Sequence, residues 1–164
     1  MPLYPDDTQG PFNPLGMTSA VLERDAHGTF VGSSYMYATA RDWARFGLLI
    51  AQRGAWEGRS LLPAGYVDWM NAPHPASMAP WGRAEYGHGQ IWLHGPDAGV
   101  AAGDDPDAGF DLPADTVWML GHDGQSIAVV PSQSLVVVRM GLTPFRRGYR
   151  PQGMLRAVID ATSE

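Results

Sequence analysis

The candidate chemistry of this sequence is concentrated in one short stretch, Leu120-Gly121-His122-Asp123-Gly124-Gln125-Ser126. A hydroxyl, an imidazole and a carboxylate this close together invite a Ser-His-Asp reading, in which the imidazole takes the serine proton and the carboxylate orients the imidazole. Their spacing opposes it, because functional triads are assembled from separate segments that converge on one atom. The nearest approach to a Gly-x-Ser-x-Gly elbow, Gly124-Gln125-Ser126-Ile127-Ala128, lacks the second glycine and falls inside a predicted strand. Asp-Gly between two β-rich runs is a strong hairpin signal, so spacing alone favours a plain turn with a solvated histidine.

Other chemistries fare no better. His88 and His94 would share one face of a strand, but six residues of strand span about 20 Å, too far for a common metal. Asp104-Asp105-Pro106-Asp107 lacks the alternating oxygen ligands and distal Glu of a calcium loop. There is no cysteine, which excludes disulfides and thiolate metal sites and leaves the compartment open, cytoplasmic or exported. No metal and no cofactor is expected. Eleven positive and seventeen negative residues give a net charge of −6, which argues against a nucleic-acid partner. No run of about 18 apolar residues and no basic-then-apolar leader is present, so neither a membrane span nor a secretory signal is expected. The six tryptophans read as core and cleft walls, since an acidic chain makes a poor stacking platform for single strands.

The elements that must position the turn can be read from periodicity. Residues 1–16 carry four prolines and two glycines without periodicity and read as an irregular lead-in. A short extended segment at residues 21–25 ends in a turn at Ala26-His27-Gly28. Thr39 with Asp42 forms a capping box opening a helix over residues 40–53, with Gly54 as its stop and Trp43, Phe46, Leu49 and Ile50 as its apolar stripe. A second helix is predicted over residues 63–71, burying Tyr66, Val67 and Met70. From residue 84 the period changes to two, which predicts a strand through residue 93, its glycines marking close backbone approach. Residues 95–115 hold six acids and no apolar period and read as a mobile, solvated loop. Runs at 116–120, 125–130 and 135–140 predict an antiparallel meander. Leu135-Val136-Val137-Val138 is apolar on both faces, so both sides of that strand must be covered. Residues 151–161 form an amphipathic helix fit to lie on the sheet.

Several ordered motifs together resemble a known family. Gly32-Ser33-Ser34-Tyr35-Met36-Tyr37-Ala38-Thr39-Ala40-Arg41-Asp42-Trp43-Ala44-Arg45-Phe46-Gly47, Leu61-Leu62-Pro63, Gly121-His122-Asp123-Gly124-Gln125 and Val136-Val137-Val138-Arg139 resemble the C-terminal half of class C β-lactamase-like serine hydrolases. That family includes penicillin-binding-protein-like esterases, and the nylon-oligomer (6-aminohexanoate-dimer) hydrolase branch is the most similar. The resemblance runs from about Phe12 to the C-terminus. It implies an α+β chain: a partial β-lactamase/transpeptidase-like fold, an antiparallel sheet with packed helices, with the first half of the fold missing. Residues 1–164 would be a single C-terminal segment, mainly helical over 17–83 and carrying the sheet strands and last helix over 84–164.

In such enzymes a Ser-x-x-Lys motif supplies the nucleophile, a Tyr-x-Asn or related motif a second proton-transfer group, and a Lys-x-Gly or His-x-Gly motif the opposite wall. The resemblance maps only the third, His122-Asp123-Gly124, onto this chain. It implies that His122 contacts the substrate or the tyrosine, that Gly124 admits the substrate to the backbone, and that the Gln125 N–H is an oxyanion donor. Ser34, Tyr35 and Asp123 would bind substrate. All eleven positive residues are arginine, so no Ser-x-x-Lys exists, and no tyrosine is followed two positions later by Asn or Ser. The expectation is the C-terminal part of a hydrolase of ester, amide or β-lactam bonds, inactive alone; the alternative is a non-catalytic binding module on the same sheet. A sheet stripped of neighbours also leads us to expect a homo-oligomer or association with another chain.

Overall fold

The computed structural model describes residues 10–32, 34–144 and 147–163. Residues 1–9 of the predicted irregular lead-in lie outside the described residues. Its remainder is ordered: Gly10–Leu15 forms a 3-10 helix, and Leu15, Met17 and Ala20 are buried against Leu49. Two-residue strands β1 (Val21–Leu22) and β2 (Met36–Tyr37) pair antiparallel. Helix α1 (Ala40–Ala51) follows, then a ribbon of β3 (Ala55–Trp56) and β4 (Arg59–Ser60), and helix α2 (Tyr66–Asn71). Strands β5 (Val117–Leu120), β6 (Ser126–Val130) and β7 (Leu135–Arg139) form the central sheet, and α3 (Pro151–Thr162) ends the chain.

The predicted meander is present, with β6 in the middle and antiparallel to both neighbours. Its register puts Val117, Val129 and Val136 in one row and Trp118, Ala128 and Val137 in the next, and successive rows face opposite sides. The first set packs under α1 with Ile50 and Phe46; the second packs under α3 with Leu155 and Ile159. That is why Leu135-Val136-Val137-Val138 is apolar on both faces. Gly47 sets the depth of the α1 contact, since a Cβ there would lie 2.5 Å from Val136 Cγ1.

Three expectations need correction. The predicted strand at 84–93 is instead a tight double-back: Gly87 N–H donates to Ile91 O at 2.9 Å and Gln90 N–H to Gly87 O at 3.0 Å, leaving only isolated bridges. The alternation was real, but it records close approach, since Gly87 and Gly89 have α2's Met70 where their Cβ atoms would be. Helix α2 begins at Tyr66, not at residue 63, because Gly65 at φ +77° interrupts the helical backbone, and Tyr66 is exposed. The 95–115 segment has no regular element but is not wholly solvated. Gly95, Pro96, Ala98 and Pro106 are buried, and the buried Gln152 of α3 donates to Pro96 O at 3.0 Å and Pro106 O at 3.2 Å. Among the described residues no helix is long and apolar enough to cross a membrane.

Candidate active site

The turn between β5 and β6 is tight. Gly121 N–H donates to Gln125 O at 2.8 Å, and Gln125 N–H to His122 O at 3.2 Å, which closes a 3-10 turn over His122–Gly124. Asp123 at φ 54° and Gly124 at φ +77° take consecutive left-handed conformations, the backbone that Asp-Gly favours in a two-residue hairpin loop. The predicted hairpin is therefore present.

His122 projects into solvent, its side chain 91% exposed, with Nδ1 3.1 Å from Asp123 Oδ2. When Nδ1–H donates to that carboxylate, the Nε2 lone pair is left to accept a proton from outside. Ser126 does not complete a triad. It is 4% exposed in the first pair of β6, level with Leu120 and Arg139, and no hydrogen bond joins it to His122. The local triad reading fails for the reason its spacing gave.

The turn faces a cleft of about 1010 Å³. Its opposite wall is the segment leading into α1, including Gly32, Ser34, Tyr35 and Tyr37, with Trp43 of α1 beside it. Ser34 and Tyr35 thus meet His122 and Gln125 across one open space, although some ninety residues separate the two segments in sequence. Tyr35 is held at φ 64° and is 55% exposed. A left-handed backbone is unfavourable for a bulky aromatic side chain, and such positions concentrate at functional sites.

Asp123 and Gly124 lie in the turn and do not line this cleft. Asp123 reaches it only through His122. The space above Gly124 is occupied by the chain itself: a Cβ there would lie 2.6 Å from Thr143 O and 3.2 Å from an Arg139 guanidinium nitrogen.

Two features were missed in the sequence, one at the start of α1 and one beneath the turn. Ser19 intrudes into the α1 cap: Thr39 Oγ1 accepts from Asp42 N at 3.4 Å, but the Asp42 carboxylate turns to Ser19 and Arg45, and Thr39 N–H donates to Ser19 Oγ at 2.9 Å. Only half of the predicted capping box is made. Arg139 anchors the turn from below, and nothing in its sequence position announces that role.

The histidines at 88 and 94 do not converge. His88 stacks on Trp69 and meets His74 edge-on with ring centroids 4.9 Å apart, whereas His94 is buried between Trp81 and Trp92. Among the described residues no group of three or more His, Asp or Glu is placed to hold a metal ion. A second cavity of about 600 Å³, between the end of α1 and α2, contains none of the motif residues.

No protein-family profile and no curated protein matches this sequence. Solved structures do. The "Putative 6-aminohexanoate-dimer hydrolase from Bacillus anthracis" is similar with a TM-score of 0.59 at 22% identity, covering 87% of this chain and 33% of its own. A "putative beta-lactamase from Bacteroides dorei DSM 17855" is similar with a TM-score of 0.54 at 17% identity, covering 90% of this chain and 48% of its own. The α+β fold is β-lactamase-like, and the chain spans between a third and a half of the length of these structures.

Proposed function

We propose that the chain supplies one wall of the active site of a β-lactamase-like serine hydrolase acting on ester, amide or β-lactam bonds. One observation carries the reading: Ser34 and Tyr35 on one side and His122 and Gln125 on the other, to which the family resemblance assigns roles at the substrate, line the same cleft. In this reading His122, oriented by Asp123, presents Nε2 to the substrate or to a proton-transfer tyrosine. The Gln125 N–H exchanges its 3.2 Å turn bond to His122 O for the developing oxyanion. Ser34 and Tyr35 hold the substrate from the facing wall.

The nucleophile comes from a Ser-x-x-Lys segment outside these 164 residues, since the chain contains no lysine. An oxyanion donor is worth roughly 3–4 kcal/mol of barrier only when that nucleophile is in place, so the isolated chain is inactive. The test is direct. Incubated with penicillin or a fluorophosphonate, the isolated chain keeps its intact mass and turns over neither nitrocefin nor p-nitrophenyl esters. A covalent adduct on one of its own side chains overturns the reading.

The open cleft and the absence of lysine also favour a second reading, a non-catalytic module that holds a ligand or a partner on the same surface. Co-purification with a polypeptide bearing Ser-x-x-Lys supports the hydrolase; a stable, inactive homo-oligomer supports the module.

A further inference from the structure

Arg139 ends β7 directly opposite Ser126, the first residue of β6, and its guanidinium reaches the turn above. One terminal nitrogen donates to Gly124 O at 2.8 Å, the other to Thr143 Oγ1 at 2.6 Å, and the cation lies 4.2 Å from the centre of the Tyr149 ring. Thr143 in turn donates its N–H to Asp123 O at 2.7 Å. Both carbonyls of the Asp123-Gly124 pair are therefore pinned by the strand end and the segment after it. Among the described residues Arg139 forms no ion pair, so its charge is spent on neutral oxygens and a π face.

The consequence follows from peptide geometry. A trans peptide is planar, with its C=O and N–H pointing in opposite directions. A donor fixed on Gly124 O therefore fixes the direction of the Gln125 N–H, away from the guanidinium and onto His122 O at 3.2 Å, the bond that a substrate oxygen would replace. A full positive charge on that carbonyl also draws electron density from the peptide, and hydrogen bonds linked through one group strengthen each other.

We infer that Arg139 is a positioning residue of this site: acting through the Gly124–Gln125 peptide, it aims the Gln125 N–H and strengthens it as a donor to a substrate oxygen. The donor's catalytic use rests on the function proposed above; the coupling of Arg139 to that amide does not.

Amide NMR of the whole 164-residue chain tests it without turnover, so failure of the hydrolase reading and failure of this inference give different results. In Arg139→Met, loss of the anchor on Gly124 O loosens the turn that holds the Gln125 N–H on His122 O, which is expected to speed exchange of the Gln125 amide proton about tenfold and move its resonance upfield, with the Val129 amide of β6 unchanged. Arg139→Lys, which keeps the charge without the planar fork, recovers part of both effects. If Arg139→Met does not fold, Thr143→Val removes one anchor of the same guanidinium and gives the same upfield shift at smaller amplitude. A Gln125 amide unmoved in the variant that folds, or Gln125 and Val129 exchanging faster by the same factor, overturns the inference.

Discussion

Ser19 Oγ donates to the buried Asp42 carboxylate over 2.5 Å, and the Ser19 N–H donates to the same oxygen over 2.9 Å. One serine thus ties the segment before β1 to the first turn of α1. The Ser19 hydroxyl, then its N–H, hold the Asp42 carboxyl below its ordinary pKa; burial opposes them, and Arg45 adds a smaller lowering. A carboxylate with a depressed folded-state pKa contributes stability above its unfolded pKa, about 4. That contribution is lost as pH falls from about 4 through the lower folded value. Urea unfolding of the wild-type chain between pH 7 and pH 3 is expected to show this acid loss, and Asp42→Asn is expected to remove that part of the slope. Ser19→Ala should cost roughly 1–3 kcal/mol at pH 7 by leaving the buried carboxylate short of a donor.

Gly124 is a site of double constraint, with φ +77° and Thr143 O where a side chain would begin. Gly124→Ala incurs both the left-handed backbone penalty and a clash with a main-chain oxygen, which cannot rotate away. A loss of roughly 2–4 kcal/mol is expected. Gly28, also at positive φ, has nothing within 4 Å of its Cβ position, so Gly28→Ala incurs only the backbone penalty, about 1 kcal/mol. Chemical denaturation of the two variants side by side separates conformation from contact.

Gln152 is fully buried on α3, and its amide nitrogen reaches Pro96 O, Pro106 O and, at 3.3 Å, Asp107 Oδ1. Replacing it by Leu keeps the volume and strands Pro96 O, at a cost of about 1–3 kcal/mol for an acceptor left unpaired in the interior, while Pro106 O keeps its bond from Arg150 and Asp107 Oδ1 its bond from the Gly95 N–H. The cost falls first on the loop it holds. Limited proteolysis of Gln152→Leu is expected to cut between residues 97 and 105 well before the sheet unfolds, whereas the wild-type loop resists. Equal cleavage rates in the two proteins would show that the staple does not hold the loop.

Which parts were legible in the sequence follows from the range of the forces involved. Helix α1, the three sheet strands and α3 are fixed by local periodicity and by apolar faces, so Trp43, Ile50, Val136 and Leu155 could be placed from spacing alone. The Asp-Gly turn was legible because its backbone demand is met within two residues. The strand expected at residues 84–93 misled because alternating glycines look like a half-buried strand when their cause is contact with Met70, a residue on another element. Gln152 and Ser19 were illegible for the same reason: each satisfies polar groups more than twenty residues away, and nothing nearby records the debt. Tyr35 entered through resemblance to a family, His122 was legible by itself only as a solvated turn residue until that resemblance implied a role, and it took the fold to bring them to one cleft.

The outer edge of β7 carries no partner strand among the described residues, and the chain just beyond it exposes Met140 and Leu142, the latter 82% exposed. An unpaired strand edge beside exposed apolar side chains is a template for another chain. Tyr35 and Tyr37, each 55% exposed, extend the apolar surface across the cleft. Light scattering at micromolar concentration is expected to give a mass above that of the 17.7 kDa monomer, rising with concentration. The double variant Met140→Lys with Leu142→Lys puts two charges next to the edge without touching the core. It should lower the apparent mass and leave the thermal melt of the monomeric unit in place. A wild-type chain that remains monomeric with a cooperative melt would mean that this edge is protected as it stands, and the association would have to be abandoned.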